Sequence, residues 1–319
     1  MRTAFLLIVR ILISAGLLYL SLRSIQFDAI RTRLGSLQWN WLLTTVLVTF
    51  LQVVLSALRW RVVTERCGAP LTDREAFRFN MIGTFFNQTL PSTIGGDAVR
   101  LWLLGNTGAG WRAATYSVLV DRAIGFIALA LIVVFSLPWS YPLIADPKGR
   151  WALLLVDSAT VGISSAFLLL GAMPWPWLKR WWPIRHAHAC GEIANQVLFN
   201  RQAGPKVATL SFTIHVLTIV TTWCAVHAVQ ATASFEQLFL LIPPIILITM
   251  LPVSIAGWGV REATMMVAFG YAGLAKIDGT MVSIIFGAAT FVVGAIGGIV
   301  WITDSERPIR NSAIVPKID

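Results

Sequence analysis

Charge is what this sequence has least of. Its 319 residues carry 25 Lys+Arg and 15 Asp+Glu, 13% of the chain, where a soluble domain carries about 25%. Forty ionic side chains cannot clothe a water-soluble globule of this size, which excludes a soluble enzyme. Low hydrophobicity is missing as well. At 56% hydrophobic residues and a mean hydropathy of +0.73 the chain cannot be disordered, because disorder needs few apolar groups and much charge. Cysteine is scarce: Cys67, Cys190 and Cys224 are odd in number and without CxxC spacing, so neither a disulfide framework nor a zinc knuckle is implied. No GxSxG, P-loop, HExxH or GxGxxG in a strand–helix setting occurs. The expectation is a protein that is no enzyme, binds no cofactor or metal, and does not hydrolyse nucleotide itself.

The small charge that exists is lopsided, with a net of +10. In a soluble protein that would point to nucleic acid. In so apolar a chain it reports topology and contact with anionic lipid headgroups, so lipid is the expected partner and nucleic acid is not.

What the chain has in quantity is apolar helix. A bilayer core takes about 20 apolar residues of helix, and on that ruler 4–22, 41–58, 123–137, 151–173, 207–229 and 281–302 read as spans. The first could pass for a signal peptide, but bulky Tyr19-Leu20-Ser21-Leu22-Arg23 offers no small-residue cleavage site, so it reads as a retained anchor. Arg59-Trp60-Arg61 after the second span looks like an aromatic and cationic interface anchor. The stretch 175–205, rich in Trp, Arg and His, reads as interfacial and partly helical. From 304 the tail is polar.

Two apolar segments do not fit the ruler. Residues 80–104 are interrupted by LPSTIGGD and residues 235–274 by LPVSIAGWG. Pro91, Gly95 and Gly96, and later Pro252, Gly257 and Gly259, should break the helix in mid-membrane. Such backbone survives there only when buried in protein or lining a watery cavity. Written in register, LPSTIGGDAVR (90–100) and LPVSIAGWGVR (251–261) share six of eleven positions at an offset of 161, half the chain. That is an internal repeat, with halves at about 1–140 and 141–303 of one domain.

Sorting the cations decides how the broken segments run. If each returns to its own side, 18 Lys and Arg fall on the side of the N-terminus and 7 on the other; if both cross, the split is 12 to 13. The positive-inside rule therefore favours re-entrant hairpins with both termini cytoplasmic. Three crossings per half make the halves inverted, and matching breaks in inverted halves point to a central transport site. The expected fold is an all-α polytopic membrane protein of two inverted repeats, about six full transmembrane helices and two re-entrant hairpins.

The charges at the breaks are the candidate site. Asp97 and Arg100 share a helix face at i,i+3, Arg261 and Glu262 follow the second break, and Asp121-Arg122 open the third span. Ionic groups in hydrocarbon cost roughly 2.5–3.5 kcal/mol on insertion scales, so they pair or face a wet cavity. As a polar lining, Arg100, Arg122 and Arg261 would bind a phosphate through their planar forks, with Asp97, Asp121 and Glu262 holding and releasing them. As structural pairs, the same residues would fasten the hairpins. Asn80 and Asn87, seven apart on one face, cap broken backbone or line the cavity. His186-x-His188-x-Cys190 splays over two helix faces, and His215 reads as a packed histidine.

FNQTLPSTIGGDAVR, Asp121-Arg122 and the LPVSIAGWGVRE block together resemble the flippase-like membrane family named for the transmembrane region of lysylphosphatidylglycerol synthase. The resemblance covers nearly the whole chain and falls on Asn87, Leu90, Pro91, Gly95, Gly96, Asp97, Arg100, Asp121, Arg122, Gly257, Gly259, Val260, Arg261 and Glu262. Trp258 departs from it, standing where smaller residues are usual. The resemblance implies lipid translocation across a bacterial inner membrane. Members fused to an aminoacyl-transferase flip aminoacylated phosphatidylglycerol, and stand-alone relatives are linked to hopanoid, glycolipid or isoprenoid-lipid pathways. With fifteen residues after Asp304 this chain reads as a stand-alone member. Two alternatives remain at this level: a scaffold for envelope-lipid enzymes, and a membrane enzyme acting on a lipid-linked substrate.

Overall fold

Apolar runs with few backbone breakers can satisfy their peptide groups in a bilayer only as helices, and helices are what form. The computed structural model describes residues 35, 37–90, 94–173, 181–250 and 257–304. The expected span at 4–22, Pro91, Pro252, the tryptophans 175 and 177, and the tail beyond 304 lie outside the described residues. Among those described there is no strand. In chain order the helices are α1 (Trp39–Arg66), α2 (Asp73–Thr89), α3 (Gly95–Leu104), α4 (Trp111–Leu143), α5 (Pro147–Ala172), α6 (Trp182–Leu198), α7 (Ala203–Ala228), α8 (Phe235–Thr249), α9 (Val260–Tyr271) and α10 (Lys276–Asp304).

Five of these, α1, α4, α5, α7 and α10, are long and apolar enough to cross a membrane. They match the five expected spans in the described part, but each runs past the apolar stretch that marked it. α4 begins at Trp111 rather than at 123, and α1 continues through Arg59-Trp60-Arg61 to Arg66. The reading of that triplet as an interface anchor fails for two of its residues, Trp60 at 0% and Arg59 at 6% exposed, while Arg61 pairs with exposed Asp73. Asp121-Arg122 lie three turns inside α4. A polar residue ends an apolar run on paper, yet a helix tolerates it wherever a neighbouring helix supplies the counter-charge.

The helices between the spans are short. α2 has 17 residues and α8 has 15, each opened by a capping box, Thr72 with Glu75 and Ser234 with Gln237, which satisfies the first free N–H groups. α2 and α3 form an antiparallel hairpin. Gly95 meets Leu90, Gly96 meets Asn87, and Gly83 meets the Arg100 side chain. Gly95 and Gly96, expected among the helix breakers, stand just past the break as the first turn of α3. Their lack of a side chain serves approach instead, since a Cβ on Gly96 would stand 2.0 Å from the Gly83 carbonyl. In the second break Gly257 and Gly259 do turn the backbone, at φ of 80° and 83°, which glycine adopts without strain.

The two hairpins approach from opposite ends of the bundle. Trp60 near the end of α1, Ala76 in α2, Leu104 of α3 and Ala114 in α4 pack in one cluster, so both ends of the first hairpin lie where α4 starts. The second hairpin sits where α4 finishes: Ser140 contacts the Leu240 carbonyl of α8 at 3.5 Å, and Ala145 N–H donates to the Tyr271 carbonyl at the end of α9. α1 and α7 run antiparallel, joined by Gln38 N–H to the Ala228 carbonyl at one end and Arg66 to Asn200 at the other. Four elements thus recur in order of length, α1–α4 and α7–α10, and α4 packs on α8 as α10 packs on α2.

That last contact is made of backbone. Cβ atoms on Gly294 and Gly297 of α10 would stand 3.4 Å from the Thr84 carbonyl and 2.0 Å from the Met81 carbonyl, so α10 lies directly on α2 as small residues allow in membranes. Gly297→Val should lower stability by about 1–3 kcal/mol as overpacking does. Gly162→Val on α5, where nothing lies within 4 Å, should leave the unfolding midpoint of the detergent-purified protein in place. Equal midpoints for the two variants would contradict this packing.

The stretch expected to be interfacial holds α6, which packs on α5 through Gly171 and Gly191. Trp181 and Trp182 are exposed beside it. His186 faces the Tyr116 hydroxyl and His188 the Met173 carbonyl, so the two histidines point to separate partners.

Candidate functional site

α1 carries a polar stripe inside an apolar span: Thr45, Thr49, Gln52, Ser56 and Arg59 recur at intervals of three and four, which a helix places on one face. α7 answers with Ser211, His215, Thr218 and Thr222 at the same intervals. The stripes meet along the α1–α7 contact. Gln52 bonds the Thr218 hydroxyl and the Ile214 carbonyl, and the Arg59 guanidinium reaches Ser211 at 3.4 Å. His215 is held by the Gly125 carbonyl of α4 at 2.9 Å, a packed histidine.

Into this seam the first hairpin and α4 deliver their charges. Arg122 binds both oxygens of Asp97, at 2.7 and 2.9 Å. Asp97 also takes Arg100 at 3.2 Å, the i,i+3 pair expected from the sequence. Arg100 continues to Asp121 at 3.3 Å, and Asp121 accepts from Arg59 at 2.9 Å. The result is an alternating chain of three arginines and two aspartates through the protein interior. Asp97, Arg100, Asp121 and Arg59 are buried, while the Arg122 side chain is 45% exposed. Two glycines make room for it: Gly83 lies against the Arg100 stem and Gly125 against the Arg59 guanidinium. The Trp60 indole underlies Arg100 at 4.1 Å, a cation–π contact that helps hold a desolvated guanidinium.

The chain forms one wall of a polar cavity of about 240 Å³. Asn80 and Asn87 line it too. Asn80 donates to the Val53 carbonyl at 2.9 Å, and Asn87 accepts from Gly96 N–H at 2.9 Å, so both cap backbone and border the cavity. Three guanidinium groups against two carboxylates leave the site with one net positive charge. Arg100 Nε is buried with no hydrogen-bond partner. Arginine suits phosphate and carboxylate because its fork donates two parallel bonds.

Arg261 and Glu262 do not join this chain. Glu262 caps α9 by accepting from Gly259 N–H, pairs with Arg261 at 3.0 Å and accepts from Ser283 of α10 at 2.7 Å. Arg261 lies between the rings of Trp258 and Phe286 and beside Gly287. The single lining expected from the sequence is therefore two clusters. Phe286 separates them, touching Arg261 on one side and bordering the polar cavity on the other.

Reasoning from sequence missed Arg59. It was assigned to the membrane surface because it stands at the end of an apolar run. The stripe it completes at 45, 49, 52, 56 and 59 was the available signal. Taking Arg59, Arg100 and Arg122, the cations of the ionic chain, from one side of the re-entrant tally and Arg261 from the other leaves 15 against 6.

Comparison with known proteins agrees with this architecture. No curated protein matches the chain, but residues 7–298 match the family described as the lysylphosphatidylglycerol synthase TM region. The match ties these helices to a membrane function related to lipid. Spanning more than nine-tenths of the sequence, it shows that the chain belongs to that family.

Proposed function

We propose that the protein translocates a lipid with an anionic headgroup, such as a phospholipid or a glycolipid or isoprenoid phosphate, between the leaflets of a bacterial inner membrane. The observation that carries this reading is the buried Arg–Asp chain with its surplus positive charge beside a polar cavity. The headgroup occupies the cavity and trades hydrogen bonds with Arg122 and Arg100, which Asp97 otherwise holds. The barrier to crossing is desolvation of the headgroup phosphate, and prearranged guanidinium donors lower it by standing in for water. An apolar groove of about 670 Å³ between α4, α7 and α8 suits the tail. It follows α4 from Ile124 to Trp139, about 22 Å at 1.5 Å per residue, and Ser211 belongs both to its lining and to Arg59. Hairpins entering from opposite ends are read as inverted repeats, the arrangement that lets two halves rock about a central site.

The test is reconstitution. In vesicles holding a tail-labelled anionic phospholipid, a membrane-impermeant quencher should reach only the outer leaflet without protein and nearly all of the label with it. Equal quenching in both would sink the proposal. A purified chain that moves no lipid but co-purifies with an envelope-lipid enzyme would favour a scaffold instead.

A further inference from the structure

A buried acid with no counter-charge stands apart from the ionic chain, on α5. Asp157 is the eleventh of the helix's 26 residues, about 15 Å along its axis and so near the middle of a hydrocarbon core about 30 Å thick. It is 4% exposed, and both carboxylate oxygens are buried without a hydrogen-bond partner. Beside it Val156 packs among Leu129, Val133 and Leu247. Thr160 and Ser164 extend the same face at i+3 and i+7. The Thr160 hydroxyl is committed to the carbonyls of Val156 and Asp157, and that of Ser164 has no partner.

None of the charged groups on the surrounding helices bonds Asp157. α4 offers Arg122, bound to Asp97, and Asp121, bound to Arg59 and Arg100. On α6, His186 faces Tyr116, His188 lies 4.0 Å from Glu192, and Arg185 is in the first turns. α8 has Glu236 in its first turn, and α9 has Arg261 and Glu262, bound to each other. On α5 itself Arg150 donates to the Ile144 carbonyl and Lys148 lies in the first turn. An ionised carboxylate without donors in an apolar interior is strongly disfavoured, so the form that fits this conformation is the neutral acid. A hard metal cation does not fit, because it needs six or more oxygens and a lone carboxylate supplies two. A proton needs one.

We infer that Asp157 is a proton-binding site, neutral in this conformation and ionised when its face of α5 opens to water, which links lipid movement to proton movement. The same face of α5 reaches a cavity at its far end. Ser164, on the same face, lines a cavity of about 370 Å³ into which Arg122 also projects. The proton is taken from water onto a carboxylate oxygen and returned to water, so only an O–H bond forms and breaks. The site stands on its own geometry; its link to lipid rests on the translocation reading.

Two measurements separate these parts. Infrared spectra of the purified protein should show the C=O stretch of a protonated carboxylic acid at neutral pH, where exposed carboxylates are ionised, and Asp157→Asn should remove it. Because the wild-type band is read without any variant, the first half does not depend on how well Asp157→Asn folds. A wild-type spectrum without that band, or a band that survives in Asp157→Asn, overturns the proton site. In proteoliposomes an imposed pH gradient should change the wild-type lipid rate several-fold, while the Asp157→Asn rate should be the same with and without the gradient. A variant that responds like wild type overturns the coupling. The acid band together with no lipid movement in wild type upholds the site and overturns the translocation reading.

Discussion

In proteoliposomes the Arg122→Gln protein is expected to move lipid about tenfold more slowly than wild type, or slower still, while unfolding at nearly the same temperature. A hydrogen bond to a charged group is worth about 1.5–3 kcal/mol, and each 1.36 kcal/mol is a factor of about ten in rate. Arg122 is the outermost member of the ionic chain, its side chain 45% exposed, so its loss leaves Asp97 still paired with Arg100. The stability cost should stay near 1 kcal/mol or below, as for other accessible pairs. Asp121→Asn should behave oppositely. Asp121 is 1% exposed and binds Arg59 and Arg100 together, so the variant leaves two buried guanidinium groups short of a counter-charge. Breaking a buried pair in this way costs about 3–5 kcal/mol, to be read as a fall in the unfolding midpoint in detergent. Wild-type lipid rates in Arg122→Gln would remove Arg122 from the headgroup site, and an unchanged midpoint in Asp121→Asn would remove Asp121 from the centre of the chain.

Glu262→Ala is the second large effect. One side chain caps α9 at Gly259, neutralises Arg261 and accepts from Ser283. Losing all three contacts should cost about 3–5 kcal/mol and empty the folded fraction during purification. The double variant Arg261→Met, Glu262→Leu separates fastening from binding. Replacing a buried ion pair by apolar residues of similar size is often neutral or stabilising, so its midpoint should recover. If the second cluster only fastens the hairpin, lipid movement returns with the fold. A protein that folds but moves no lipid would assign Arg261 to the headgroup instead.

Much of this was legible in the sequence because the signals are strong ones. Apolar runs of span length gave the five described membrane helices, and the paired Leu-Pro segments gave the two short-armed hairpins. The spacing of Asp97 and Arg100 gave their ion pair. Less legible was whatever depends on which helix faces which. Arg59 reads as a surface anchor until α7 and α4 are placed against its stripe, and Arg261 reads as a partner of Arg100 until Phe286 is placed between them. Gly95 and Gly96 show the same limit: the chain announces two glycines but not whether they turn the backbone or admit a neighbour. Distances between elements are set by packing, and a linear pattern holds only the faces.

The charge imbalance of the ionic chain has an electrical side. Three arginines and two aspartates leave one positive charge in the protein's interior when no headgroup is present. A full elementary charge carried across the membrane exchanges about 2.3 kcal/mol per 100 mV with the potential, and a buried charge that shifts part of the way exchanges a fraction of that. On the translocation reading, a singly charged anionic headgroup cancels it. The empty protein would then feel the membrane voltage and the occupied one would not, so voltage would act on the unloaded half of a transport cycle.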